Sequence, residues 1–188
     1  FVQIAGEKMS KSKGNIRPLV DILKEFGADA VRINIVSSNE GMDDADWHEE
    51  NLEAFFSRID FIFQIASKIP KAKRTSVANV DNYMMSRLQS IIQNTTGNFE
   101  VMKFRSGIQS GFYEAYNELK WYVDRCGGIE NCNKKILENF VLSVIKLISP
   151  VTPHIAEEIW SKMGNKNFIS LSKWPVADKK YSNQESEM

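Results

Sequence analysis

The middle of the chain is a series of helix-length apolar patterns separated by residues that end helices. Apolar side chains recur every three or four positions in the blocks 46–68, 80–96, 100–125, 134–149 and 153–163. This spacing places them on one face of an α-helix. Pro70, Gly97 and Gly164 stand at block ends, where helices commonly stop. The pattern predicts a mainly α fold, an antiparallel helical bundle.

The N-terminal residues have a different pattern. Residues 1–5 favour an extended segment, and Pro18 can open a helix that runs to Phe26 and ends at Gly27. Asp29 is a candidate cap for a second short helix, residues 30–36. An acidic connector, residues 41–50, leads into the first long helix. Within it, Asp46 and Glu49 have the spacing of a capping box.

Composition excludes several classes of protein. Among 188 residues 43% are hydrophobic and the formal net charge is zero, so any contact with RNA must come from local basic patches. No apolar run approaches the roughly 18 residues of a membrane span, and we expect a cytoplasmic protein. The chain begins without Met, which suggests a piece of a longer protein. Cys126 and Cys132 have no metal-site spacing, so we expect reduced thiols and no metal ligands.

Residues 7–15 form a dense run of charge and small residues that reads EKMSKSKGN. Its lysines repel one another, and its Ser, Gly and Asn residues favour turns over helix interiors. A flexible loop of ammonium groups and hydroxyls is suited to holding a polyphosphate. The run therefore predicts a phosphate-binding loop.

Three segments resemble one enzyme family. Residues 8–12 read KMSKS, the signature of class I aminoacyl-tRNA synthetases. Residues 26–32, FGADAVR, resemble the segment that follows it in the leucyl, valyl, isoleucyl and methionyl branch. Residues 149–160, SPVTPHIAEEIW, are similar to a segment of that branch's helical anticodon-binding domain. The segments also occur in the family's order.

This resemblance implies a domain organisation. Residues 1–45 would be the end of a Rossmann-type catalytic domain, with the lysine loop and connector. Residues 46–176 would form the helical anticodon-binding bundle, and residues 177–188 a flexible tail. The family's His-x-Gly-His motif, amino-acid pocket and editing domain lie upstream of the loop. We therefore expect that this chain alone does not activate an amino acid.

The resemblance also implies the chemistry of the loop. Class I synthetases join an amino acid to ATP, with Mg²⁺, and then transfer it to tRNA. The catalytic role falls to Lys8 and Lys11, whose charge offsets the charge that grows on departing pyrophosphate. The implied ATP-binding residues are Lys8, Met9, Ser10, Lys11 and Ser12.

The expected amino acid is leucine, because residues 38–47 and 116–122 resemble archaeal and eukaryotic leucyl enzymes. The implied partners are then leucine, ATP and tRNA-Leu, and we expect a monomer. The alternatives are a methionyl, valyl or isoleucyl enzyme, a non-enzymatic helical RNA-binding module, or another phosphate-binding protein whose loop matches by chance.

Basic clusters on the helical part are candidate tRNA contacts, although most surface lysines bind nothing specific and the alternative for each cluster is a solvated surface. The candidates are Lys71, Lys73, Arg74, Lys103, Arg105, Lys134 and Lys135. His154 sits in the segment 149–160, where we expect a hydrogen bond between helices rather than catalysis.

Overall fold

The computed structural model describes residues 2–4 and 6–182, and most of them are helical. The α-helices are α1 Leu19–Phe26, α2 Ala28–Ser38, α3 Glu50–Lys68, α4 Asn79–Glu100, α5 Phe104–Ile108, α6 Ala115–Arg125, α7 Lys134–Ile148, α8 Pro153–Lys162 and α9 Lys179–Ser182. A π-helical turn, Gln109–Glu114, joins α5 to α6. The predicted mainly α fold is confirmed. Within the described ranges no helix is long and apolar enough to cross a membrane.

A small sheet holds the N-terminal residues. Strand β1 (Val2–Ile4) lies between β2 (Glu7–Lys8) and β3 (Ala45–Trp47). It pairs antiparallel with β2, with Gln3 opposite Lys8, and parallel with β3, with Gln3 opposite Asp46. The predicted extended segment is thus confirmed for residues 2–4, while residues 1 and 5 lie outside the described residues. Pairing with β3 fixes the lysine loop to the connector.

Two predicted helix caps are wrong. Helix α3 begins only at Glu50, so Asp46 lies too far before it to cap it. Asp46 is part of β3, and its carboxylate is 3.0 Å from the His48 ring. Helix α2 begins at Ala28 after Gly27, whose φ is 77°. Asp29 is therefore already inside α2, and its carboxylate contacts another helix instead.

Two predicted helix boundaries are also wrong. Gly97 does not end its helix, since α4 continues to Glu100; a Cβ at this exposed glycine would meet nothing, so packing does not require a break there. The chain turns at Met102, whose φ is 60°. The next helix accordingly begins at Phe104 rather than at residue 100.

Helix α7 lies at the centre of the core. Its buried residues are Leu137, Phe140, Val141, Ser143, Val144, Ile145, Leu147 and Ile148. The same continuous core includes Ile22, Ile33 and Trp47 from the N-terminal elements. The predicted flexible tail begins with residues that contact the bundle, since the Asp178 backbone N–H donates to Gln89 Oε1 at 2.8 Å. The prediction for residues 183–188 lies outside the described residues.

Candidate functional site

The lysine loop is a short turn held by its own polar groups. Residues Lys11–Lys13 form one 3₁₀ turn, which ends at Gly14 with φ 68°. Asn15 joins the two sides of the loop: its Oδ1 accepts the Ser10 backbone N–H at 2.8 Å, and its amide donates to the Lys8 carbonyl at 3.2 Å. The loop therefore has a defined backbone although most of its side chains are exposed.

The three lysines of the loop differ in their surroundings. Lys13 pairs with Glu7 at 3.3 Å. Lys8 is exposed on β2 within electrostatic reach of Asp44. Lys11 is exposed and has no carboxylate partner among residues 2–4 and 6–182. The Ser10 and Ser12 hydroxyls bond to each other at 2.8 Å, and both can turn toward an anion. The arrangement can offer two ammonium groups and two hydroxyls to a polyphosphate.

Four candidate cations of the bundle meet at one end of it. The segment 72–75 lies beside the segment 130–134: the Lys73 N–H donates to the Glu130 carbonyl at 3.1 Å, and the Lys134 N–H donates to the Arg74 carbonyl at 3.2 Å. This distal cluster comprises the exposed side chains of Lys71, Lys73, Lys134 and Lys135. Some 60 residues of sequence separate its halves, so no local pattern reveals it.

Arg74 does not belong to that surface. Its guanidinium binds Asp81, with Nη2 2.8 Å from Oδ1, and Asp81 is fully buried. Tyr122 donates its hydroxyl to the same carboxylate at 2.5 Å and accepts the Asn133 backbone N–H at 3.0 Å. We therefore withdraw Arg74 as an RNA contact and assign it a structural role. The sequence signal that was missed is Asp81, which also accepts the Ala78 N–H at the start of α4.

Burial and hydrogen bonding have opposite effects on the pKa of Asp81 in this ion pair. Burial alone would raise the pKa of the Asp81 carboxyl, but the hydrogen bonds from Arg74 and Tyr122 outweigh it and hold that pKa below its usual value. Burial and the adjacent carboxylate raise the pKa of the Tyr122 hydroxyl, so that it stays protonated as a donor.

The other two candidate cations lie at the opposite end of the bundle. Lys103 and Arg105 are exposed at the turn between α4 and α5, beside the exposed side chains of Met102 and Phe104. Helix α4 has 22 residues, and at about 1.5 Å per residue it separates them from the distal cluster by roughly 30 Å. We call Lys103 and Arg105 the proximal pair.

The two segments 26–32 and 149–160 contact each other. His154 Nδ1 lies 2.8 Å from Asp29 Oδ1, which confirms the predicted hydrogen bond between helices. The Asp29 Oδ2 atom accepts the Ile155 backbone N–H at 2.7 Å. Arg32 donates to the carbonyls of Pro150 and Val151, both at 2.8 Å. A sequence reading does not reveal these bonds, which join residues at least 118 positions apart.

The two cysteines are free thiols, as predicted. Cys126 is half-buried at the end of α6, and Cys132 is buried just before α7. Within the described part of the chain no group of His, Cys, Asp and Glu side chains is arranged to hold a metal ion.

Comparisons with known proteins agree with this architecture. The family model described as the anticodon-binding domain of tRNA ligase matches residues 81–188, which is more than half of the chain. The chain belongs to this family of tRNA ligases. A second model, described as tRNA synthetases class I (I, L, M and V), matches residues 2–48. The two matched ranges contain the lysine loop and most of the bundle of this tRNA-ligase chain.

Similar proteins are named leucine–tRNA ligase. The chain is 34% identical to that of Pyrococcus horikoshii, over 100% of the chain and 20% of the relative. It is 35% identical to that of Methanosarcina barkeri, over 94% of the chain and 18% of the relative. The chain thus spans about a fifth of the length of these relatives.

A solved structure supports the fold. The chain superposes on the crystal structure of the Agrobacterium radiobacter LeuRS-tRNA-LeuAMS ternary complex with a TM-score of 0.80. The match covers 97% of this chain and 24% of the other, at 22% identity.

Proposed function

We propose that this chain is the part of a leucine–tRNA ligase that binds the phosphates of ATP and holds tRNA-Leu. The observation that carries the proposal is the ordered lysine loop, with Lys8 and Lys11 exposed, packed in one fold with an anticodon-binding bundle. The names of the relatives support leucine as the amino acid. The substrates are then leucine, ATP with Mg²⁺, and tRNA, and the site of action is the cytoplasm.

The loop acts electrostatically in this proposal. When the leucine carboxylate attacks the α-phosphate of ATP, negative charge grows on the departing pyrophosphate. Lys8 and Lys11 stabilise that charge, while Ser10 and Ser12 donate hydrogen bonds to phosphate oxygens. Removing one such charged donor lowers the rate by about 10²–10³-fold. Lys13, already paired with Glu7, contributes less.

A chimera tests the role of the loop. This 188-residue chain replaces the matching segment of the Pyrococcus horikoshii ligase, and leucine-dependent exchange of pyrophosphate into ATP is measured. We expect Lys8→Met and Lys11→Met each to reduce exchange by about 10²-fold or more, with Lys13→Met as the matched control. Equal rates for all three variants would exclude the proposed role.

The bundle binds tRNA through its cations in this proposal. The distal cluster and the proximal pair lie roughly 30 Å apart, so that one RNA can contact both along its backbone. Contacts of Lys and Arg with phosphates position an RNA without reading its sequence. Discrimination between tRNA-Leu and other tRNAs then depends on shape and on unpaired bases.

Salt-dependent binding of the isolated chain tests this second role. We expect tRNA-Leu to bind more tightly than tRNA-Met, and the affinity to fall as salt rises. Neutralising the four lysines of the distal cluster with Gln decreases the slope of log K against log salt by roughly 0.7–0.9 for each lost phosphate contact. The control neutralises four other exposed lysines, Lys24, Lys173, Lys179 and Lys180. Identical slopes for the two variants would remove the distal cluster from the interface, and preference for tRNA-Met would favour the methionyl alternative.

A further inference from the structure

Helix α2 provides the N-terminal cap that helix α8 lacks. The first backbone N–H groups of a helix have no partner within it, and a side chain just before the helix commonly accepts one. Thr152 holds that position in α8, but its hydroxyl donates back to the Ile148 carbonyl and caps nothing. Asp29 of α2 accepts the Ile155 N–H at 2.7 Å instead. Its carboxylate also complements the positive end of the α8 dipole.

A second contact lies within one turn of the first. Three residues after Asp29, Arg32 donates from Nε to the Val151 carbonyl and from Nη2 to the Pro150 carbonyl, both at 2.8 Å. The planar guanidinium fixes the direction of both bonds. These carbonyls follow the C-terminal end of α7, where a cation is favourable. We call the bonds of Asp29 and Arg32 to residues 150–155 the α2 clamp.

The α2 clamp holds two contiguous parts of the bundle at once. Asp29 accepts a hydrogen bond from the start of α8, and Arg32 donates hydrogen bonds to the turn after α7. Helix α2 therefore cannot rotate about its axis without breaking one set of bonds. Asp29 is 9% exposed, which shields its bonds from water. In the other direction, α2 packs on β3, and β3 pairs with β1 next to the lysine loop. A continuous set of contacts therefore runs from the bundle to the loop.

We propose that Asp29 and Arg32 are positioning residues that fix the orientation of the lysine loop relative to the RNA-binding bundle. The consequence for catalysis rests on the proposed function: the clamp aligns bound tRNA with the site where ATP reacts. Neither residue touches a substrate in this account. The chain stays folded when the clamp is broken, because neither Asp29 nor Arg32 belongs to the apolar core or to the small sheet. The shared core still joins α2 to the bundle, but apolar packing is not directional, and the clamp bonds fix the angle.

A distance measurement between spin labels tests the orientation directly. The exposed residues Lys13, in the turn of the lysine loop, and Asn94 on α4 are replaced with labelled Cys, in a chain that carries Cys126→Ser and Cys132→Ala. We expect a narrow distance distribution for this parent and a broad one for Arg32→Met. Asp29→Asn, a milder change, gives an intermediate width. Circular dichroism establishes that each variant is folded.

The matched control is Arg87→Met. Arg87 also binds through two nitrogens, to Glu114 and Glu118, but all three residues belong to the bundle. We expect this control to lower the melting temperature and leave the distance distribution narrow. If Arg32→Met leaves the distribution as narrow as Arg87→Met does, the clamp does not position the loop and the proposal is overturned.

A functional measurement in the chimera separates positioning from general stability. We expect Arg32→Met to lower the rate of tRNA leucylation by up to about 10²-fold, the scale of loss for a small misplacement of reactants. The exchange of pyrophosphate, which needs no tRNA, keeps its rate. Equal loss of both reactions contradicts the proposal. If the chimera with unchanged Asp29 and Arg32 charges no tRNA, the proposed function is what fails, and the label distances still decide whether the clamp orients the loop.

Discussion

At the scale of single residues, Asp81 shows how the distal end of the bundle is organised. This fully buried carboxylate accepts hydrogen bonds from the Arg74 guanidinium, the Tyr122 hydroxyl and the Ala78 backbone N–H. Through these groups it joins the loop 72–78, the start of α4 and the end of α6. The buried carboxylate of Asp81 thus helps to hold together the two segments that carry the exposed lysines of the distal cluster, although Asp81 itself is not at the surface.

We expect Asp81→Asn to lower the free energy of unfolding at pH 7 by about 3–5 kcal/mol, because it leaves the Arg74 charge without its partner. The pKa of Asp81 in the folded chain lies below that of the unfolded chain, about 3.9. The contribution of Asp81 to the free energy of unfolding is therefore complete above pH 4. It is lost as the pH falls through the lowered pKa of Asp81 in the folded chain. Chemical denaturation at several pH values measures the effect, with exposed Asp60→Asn as control. A difference from the unchanged chain that does not shrink as the pH falls below 4 would contradict it.

The two thiols should react at different rates. Burial is the main cause that raises the pKa of the Cys132 thiol, and the neighbouring Cys126 adds to it, so Cys132 has little reactive thiolate. Cys126 is half-buried. We expect iodoacetamide to modify Cys126 first and Cys132 only when the chain unfolds, as peptide mass spectrometry can show. Equal rates in the folded chain would be the contrary result, and equal rates in denaturant are the control.

At the scale of elements, periodicity predicted the long helices well and their ends less well. The apolar spacing of α3, α4, α6 and α7 is a local property, which is why sequence alone revealed them. Beyond Gly97, Phe99 of α4 packs against Phe104 and Trp174, and such tertiary contacts outweigh the roughly 1 kcal/mol cost of glycine in a helix. The cap of α8 comes from Asp29, 126 positions away. No local pattern could reveal it.

Two helical glycines provide a matched test of packing. A Cβ at Gly107 in α5 would overlap the Phe99 ring of α4, whereas a Cβ at Gly97 would meet nothing. We expect Gly107→Ala to destabilise the chain by about 1–3 kcal/mol through overpacking. Gly97→Ala should stabilise it by roughly 0.5–1 kcal/mol. Thermal unfolding of the two variants measures whether each substitution lowers or raises the stability of the chain. The expectation is wrong if Gly107→Ala melts at or above the unchanged chain.

At the scale of the whole molecule, a single apolar core includes side chains from both sides of residue 45, where a domain boundary was expected. Ile22, Ile33 and Trp47 belong to the same apolar cluster as the residues of α7. The division at residue 45 stays a prediction about function. The lysine loop was predictable from its own sequence. The distal cluster was not, because only the fold brings Lys71 and Lys73 beside Lys134 and Lys135, some 60 residues away, whereas Lys103 and Arg105 are already neighbours in the sequence.

The shared core predicts a single unfolding transition. We expect the fluorescence of the tryptophans, which include buried Trp47, and far-UV circular dichroism to give the same denaturation midpoint. The hydrogen bonds of the α2 clamp strengthen this coupling. An early transition in fluorescence, followed by loss of helix at higher denaturant, would show that the N-terminal elements unfold separately.

The π-helical turn, Gln109–Glu114, gives this protein a place to change its length. A π turn holds one residue more than regular α geometry. Deleting a residue within α7 would rotate everything after it by about 100° and expose apolar side chains. Deleting Ser110 can instead convert the wide turn to a regular one while the flanking helices keep their orientation. Single-residue deletions accepted during evolution should therefore collect at this turn.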